Sequence, residues 1–380
     1  MPSSPNSGPL QGLRVIEMAG IGPAPFCGML LADMGADVIV IERPATLRTL
    51  PTGDAMNRGK RSVCLDLKQP SGLQAATRLI NSANALIEGY RPGVMERLGL
   101  GPEAFEVTHP QLVYGRVTGW GQSGPLAQAA GHDINYVALT GIASLSARPG
   151  AAPTLPATVI GDMAGGAMFL AFGLLCAILE SQRSGRGQIV DAAMIDGVGT
   201  LSALIHSMRG SGMWHAQDER NLFMHQSPFY DAFECAEGGF ITLGAIEPQF
   251  YRELLRLLGL DDVDPSQQFD SHQWPALRSR VAERIRTRTR AEWVTRLEGS
   301  DACFAPVLGL SEAAAHPHQV ARGNFHQVNG QLQPAASPRF SRSQARPPQA
   351  GPLAGSHTRE ILLELGMGQE AIEQICRSGN

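Results

Sequence analysis

LRVIEMAGIGPAPFCGMLLADMGADVIVIE, residues 13–42, decides the fold. LRVIEM is apolar and β-prone, and Gly20-Ile21-Gly22-Pro23 breaks it. PFCGMLLADMG then carries apolar residues at helical spacing, and DVIVIE is a second continuous apolar strand. Strand, helix, strand at this length is a βαβ unit, whose crossover is right-handed and whose strands are parallel. Glu42, twenty residues past Gly22, mimics a dinucleotide fingerprint, but Pro25 stands where the third glycine belongs. Nicotinamide binding is therefore the weaker reading, beside a nucleotide-like fold put to another use.

Working outward, short apolar strands recur at 62–67, 85–90 and 112–119, alternating with helices near 71–82 and 94–98. The expected architecture is α/β, a Rossmann-like large domain with a parallel sheet over residues 1–190. A linker helix region follows at 191–225. PFYDAFECA, a Glu237-Gly238-Gly239 turn and FITLGA then read as a hairpin, followed by a helix at 250–260, which defines a smaller α+β domain over 226–320. The stretch 333–353 is rich in Pro, Ser, Ala and Gln and reads as a strap. With the helix HTREILLELG (357–366), residues 321–380 are expected to return to the large domain. No internal repeat is visible.

The chain has 380 residues, 43% hydrophobic and 17% charged, which is the balance of a globular protein in two domains rather than a disordered one. A formal net charge of −4 argues against a nucleic-acid partner. Its six cysteines form no CxxC pair and no zinc-type cluster, so they read as free thiols in a reducing, cytoplasmic setting. The uncharged run from Met163 to Leu179 is short for a membrane span and reads as a buried core helix, so no membrane partner is expected.

Two glycine-flanked titratable residues draw most of the functional argument: His132 in AGHDINYVALTG and Asp162 in IGDMAGGAMFL. An imidazole and a site-tuned carboxylate are groups suited to moving a proton near neutral pH. Taken alone, Asp162 reads as a helix cap and His132 as a satisfied loop histidine. Small residues at 164–167 would also let a ligand approach the unpaired amides of a helix start, where Met163 or a neighbouring N–H could serve as donor to an anion. Glu247 falls at a cap position before Pro248, where glutamate is not a favoured cap. Arg43, Arg58, Lys60, Arg61 and Arg91 lie at strand ends, either as scattered surface charge or facing a phosphate-rich ligand. The arginine-rich stretch Arg278–Arg290 reads as a solvated helix face. His316-Pro317-His318 is a weak metal candidate without a third ligand, so no metal site is expected.

The long motifs NRGKRSVCLDLK, YRPGVMERLGLGP, GRVTGWGQSGPLAQAAGHDINYVALTG, GDMAGGAMFL and GAIEPQFY, with the opening βαβ unit, closely resemble the racemase branch of the family III CoA-transferase superfamily. Members of that branch act on α-methylacyl-CoA thioesters. The resemblance runs in order from residue 8 to the HTREILLELG helix. It implies an interlocked homodimer with the active site between subunits. It makes His132 and Asp162 the two acid–base groups and Glu247 the partner of His132. It places Arg43, Lys60, Arg61, Tyr90, Arg91, Gly131, Asp133 and Met163 along the substrate and its CoA moiety. The implied reaction is racemisation at C2 of a 2-methyl-branched acyl-CoA through an enolate, with no cofactor beyond the thioester. The acyl surface would be apolar and forgiving, with Met168, Met194, Met213 and Met224 as contributors. The rival within the superfamily is a CoA transferase with Asp162 as nucleophile. A nicotinamide dehydrogenase and a non-catalytic CoA-thioester binder stand further off.

Overall fold

The computed structural model describes residues 8–44, 55–148, 150–214 and 220–378. Six strands, β1 (Arg14–Met18), β2 (Asp37–Glu42), β3 (Arg61–Cys64), β4 (Ala85–Glu88), β5 (Val113–Thr118) and β6 (Ile189–Ala193), form one sheet in the order β3-β2-β1-β4-β5-β6. Every pair is parallel, with Ile16 opposite both Ile39 and Leu86. This is the doubly wound arrangement expected from the opening βαβ unit. The strand order reverses between β1 and β4, the place where such sheets bind ligands.

Both sheet faces are covered, which is why these strands read as unbroken apolar runs. On one side Ile16, Ile39, Val63, Leu86 and Tyr114 pack with α2 (Pro70–Asn81) and with two C-terminal helices described below. On the other, Val15, Val38, Ile87 and Val117 pack on α1 (Pro23–Asp33) and on the long helix that follows residue 158. A single turn, α3 (Val94–Arg97), precedes β5, and α4 (Asp133–Leu139) follows it.

The long helix enters as a π-helix over Val159–Met168 and continues as α5 (Phe169–Ser184). Its 26 residues make it long and apolar enough to cross a membrane by length and composition, which corrects the expectation from the shorter uncharged run. Leu170, Leu174 and Ile178 are nevertheless built into the core beside the sheet. Met168, Phe172 and Leu179 lie exposed along another side of it.

The linker helix region expected at 191–225 holds two helices, α6 (Met194–Leu201) and α7 (Ala203–Gly210), broken at Ser202. The division between two compact units falls there as well. One unit comprises Met1–Thr140, Pro156–Leu201 and His318–Asn380; the other Gly141–Leu155 and Ser202–Pro317. Residues 141–155 thus group with the second unit, although the chain reaches them directly from α4.

In the second unit β7 (Tyr230–Glu234), β8 (Phe240–Gly244) and β9 (Phe304–Pro306) form an antiparallel sheet. It packs on α8 (Pro248–Leu258), α9 (Trp274–Ile285) and α10 (Arg290–Leu297) around Phe229, Trp274 and Trp293. Two short helices, α11 (Leu310–Ala315) and α12 (Pro317–Ala321), follow. A hairpin of β10 (Phe325–Val328) and β11 (Gln331–Pro334) leads into the strap, and the chain ends in α13 (Thr358–Glu364) and α14 (Gln369–Ser378). Within the first unit Arg346 ties the strap to the ends of α1 and of the turn before β3, donating to the carbonyls of Gly35 and Gly59 at 3.1 Å each.

Candidate active site

The carboxyl ends of β1, β4 and β5 open into a cleft of about 620 Å³. Ile21 and Gly22 reach it from the β1–α1 turn, Tyr90 and Arg91 from the end of β4, and Trp120 from the end of β5. His132 at the start of α4 and Asp162 in the π-helical entry complete the chemically reactive wall. The β1–α1 turn has to be glycine at residue 22. Its φ is +70°, and a Cβ there would lie 3.1 Å from the Asp162 carboxylate. The sequence motif that mimics a phosphate turn is therefore used to approach a carboxyl group.

His132 is the N-cap residue of α4, its backbone N–H donating to Asn135 Oδ1 at 3.0 Å, and its ring is exposed toward the cleft. Asp162 is half-buried, and its carboxyl is pushed up from 3.8 to about 6. Burial is the largest cause and the nearby Asp133 charge the second, while His132 opposes both. A carboxyl poised there can give and take a proton close to neutral pH.

Several expectations need correction. Asp162 is no helix cap: the helix begins three residues earlier at Val159, with Thr158 as N-cap in the left-handed region. The Met163 amide is engaged, donating to the Thr158 carbonyl at 3.2 Å, so it is no open anion donor, although Met163 does line the cleft. Asp133 is not aimed at a ligand. It is buried, and its Oδ1 accepts the N–H groups of Gly161 at 2.6 Å and Asp162 at 2.8 Å. Lys60 does not face a phosphate: its ammonium is wholly buried, 2.7 Å from Glu17 Oε2. Arg61 opens β3 and so lies at the amino end of the sheet, paired with Asp37 and Glu364. Arg58 is buried against Asp33 and holds the strap through the Pro334 carbonyl.

Of the expected cationic set, Arg91 lines the cleft, and Arg43 lies over the Tyr90 ring with its guanidinium carbon 5.6 Å from the centroid. The Tyr90 hydroxyl donates to the Ala19 carbonyl at 3.0 Å, joining the ends of β4 and β1. Gly131 and Met194 line the cleft as well, whereas Met168 and Met213 are exposed elsewhere. Glu247 caps α8 ahead of Pro248, as its position suggests, and its side chain makes no capping bond. It belongs to the second unit. His316 pairs with Glu298 at 2.7 Å, and among the described residues no group of three His, Cys, Asp or Glu could hold a metal ion.

Sequence reading missed Tyr136 and Trp120. Their rings meet edge to face with centroids 4.8 Å apart, and the Tyr136 hydroxyl donates to the Gly131 carbonyl, fixing the turn that carries His132. The signal was present: Tyr136 follows His132 by four residues, one turn along the same helix.

A doubly wound sheet with a histidine and a raised carboxyl in the cleft at its switch point defines a class of fold and site, and comparison with known proteins places the chain. CoA-transferase family III matches residues 10–358, and the chain belongs to that family. Within it, the chain is 41% identical over 369 residues to the Alpha-methylacyl-CoA racemase of Mus musculus, covering 96% of each chain. It is 39% identical over 368 residues to the human Alpha-methylacyl-CoA racemase, again with 96% of each covered. Among solved structures, a CAIB/BAIF family protein from Brucella suis superposes with a TM-score of 0.81 at 26% identity, over 94% of this chain and 100% of that one.

Proposed function

We propose that this protein is an enzyme that racemises 2-methyl-branched acyl-CoA thioesters at C2. The observation that carries the reading is that His132 and Asp162 line one cleft, with Asp162 raised to about 6. One group removes the α-proton from one face and the other returns a proton to the opposite face, with the roles exchanged in reverse. The likeness to two racemases supports the substrate class. No cofactor enters this reading, because the thioester itself acidifies the α-carbon.

The enolate oxygen needs a hydrogen-bond donor, since a general base supplies at most about 10⁴-fold and one such donor adds about 3–4 kcal/mol. With the amides of residues 161–163 engaged, the N–H of Asp133 fits best: it is the first residue of α4 and has no intrahelical acceptor. Arg91, with Arg43 behind Tyr90, is the reading's contact for the CoA phosphates.

The reading further takes the enzyme to be a cytoplasmic homodimer in which Glu247 of the partner subunit meets His132. The exposed Met168 at the end of the π-helical entry and Phe172 and Leu179 along α5 are the apolar surface such a partner would cover. The test uses a single-enantiomer 2-methylacyl-CoA in deuterated water with neither metal nor acceptor acid. Label at C2 in both configurations is the expected result. Absence of exchange, with transfer of CoA to an added carboxylic acid and trapping of Asp162 as its hydroxamate by hydroxylamine, would make the protein a transferase instead.

A further inference from the structure

The Asp133 carboxyl is placed unlike any other acid in the site. It is buried, one oxygen accepts two backbone N–H groups from the π-helical entry, and the other oxygen has no hydrogen-bond partner. Gly161 has no side chain because none fits: a Cβ there would lie 2.7 Å from Asp133 Oδ1. The two amides that Asp133 takes belong to Asp162 and the residue before it. We propose that Asp133 is a positioning residue that clamps the Gly161-Asp162 entry and fixes the Asp162 carboxyl against the cleft opposite His132.

The inference rests on the racemase reading for its assay, though not for its geometry. A carboxylate is a costly way to satisfy two amides when a neutral side chain could do it, and an unpartnered buried oxygen adds to that cost. What the charge contributes is electrostatic: it opposes ionisation of Asp162. The other groups around Asp162 are few. His132 acts on it with the opposite sign, and Tyr136 and Arg91 share the cleft wall. The elements packed on the π-helix from the other sides present Pro23, Met194 and Val198, which carry no charge.

Two substitutions separate the clamp from the charge. Asp133→Asn keeps an oxygen acceptor for both amides and removes the charge. Asp133→Ala removes both, and neither disturbs the Asp133 backbone N–H. With the enantiomer whose proton Asp162 takes, D133N is expected to move the acid limb of the exchange rate down by about one pH unit. D133A is expected to lower kcat by about 10²-fold, from misplacement of Asp162, with KM little changed. The titration of Asp162 is followed independently by carboxyl ¹³C NMR in labelled protein, assigned by the resonance missing from Asp162→Asn. A resonance that titrates at the same pH in D133N and in the unsubstituted enzyme would overturn the electrostatic part. Full kcat in a folded D133A would overturn the clamp. Absence of exchange by the unsubstituted enzyme would instead count against the racemase reading, and the NMR titration would still decide the role of Asp133.

Discussion

Replacing Asp162 by asparagine should make the protein more stable at neutral and alkaline pH, while removing one of the two proton-transfer groups proposed above. The carboxyl is held up at about 6 against an ordinary 3.8, so the folded state binds its proton more tightly than the unfolded state does. A raised folded value means that stability is fully present below pH 3.8 and is lost as pH rises through about 6. The gap is a little over two pH units, or about 3 kcal/mol at about 1.4 kcal/mol each. Asp162 is only half-buried, and solvent screening reduces this to about 1–2 kcal/mol. The asparagine side chain has no charge to desolvate, so the substituted protein escapes the penalty above pH 7 and gains little at pH 4. With an unfolding entropy of about 2.1 cal/mol/K per residue, that amounts to about 1–2 °C in melting temperature. Paired melts at pH 4 and pH 8 measure it. An equal shift at both pH values, or a loss of stability at pH 8, would refute the argument that ionised Asp162 is a strained group.

Two other substitutions test the surroundings of the site. Lys60→Met removes the ammonium paired with the buried Glu17 carboxylate and is expected to cost about 3–5 kcal/mol in urea denaturation, with KM for the thioester little changed; a tenfold rise in KM at full stability would return Lys60 to the phosphate-binding set. Gly119→Ala puts a Cβ 2.0 Å from the Tyr136 ring, so the ring must move and release the Gly131 carbonyl. The expected result is a loss of about 1–3 kcal/mol together with slower exchange, and a crystal structure with the ring unmoved would contradict it.

The sheet was legible because its evidence is local. Each strand between Arg14 and Thr118 is a short apolar run bounded by turn residues, and the crossover rule gives their parallel pairing and hand without long-range information, though not their order. That His132 and Asp162 would share a cleft was legible too, since both sit in small-residue surroundings that leave room for a ligand. Charge was read less well. Lys60 and Arg61 are neighbours in sequence, yet one is wholly buried and the other lies at the amino edge of the sheet. A strand end in sequence does not say which way the strand runs relative to the ligand. The clue to Lys60 lay elsewhere, in Glu17: a carboxylate inside the apolar strand LRVIEM requires a buried cation. The start of the long helix was misplaced because a π-turn has no hydrophobic period of its own, and Val159-Ile160 read as chain leading into a cap.

That misplacement bears on the chemistry. A carboxylate at an N-cap accepts free amides and faces the positive end of the helix dipole, which favours its ionised form. Here Asp133 takes the amides of residues 161 and 162, the Thr158 carbonyl takes the next one, and Asp162 is left half-buried beside a like charge. Inversion at C2, far from the stereocentres of the CoA moiety, interconverts epimers of nearly equal energy, so a racemase of such thioesters runs in both directions at one pH. On the two-base mechanism proposed above, Asp162 begins as the acid in one of them. At pH 7 a carboxyl at 3.8 is protonated in about one molecule in 10³, whereas one at about 6 is protonated in about one in ten. Burial of Asp162 first, and the Asp133 charge beside it second, thus raise the population of the acid form by about 10²-fold, which is as large as the effect of a general acid itself at the low end of its range.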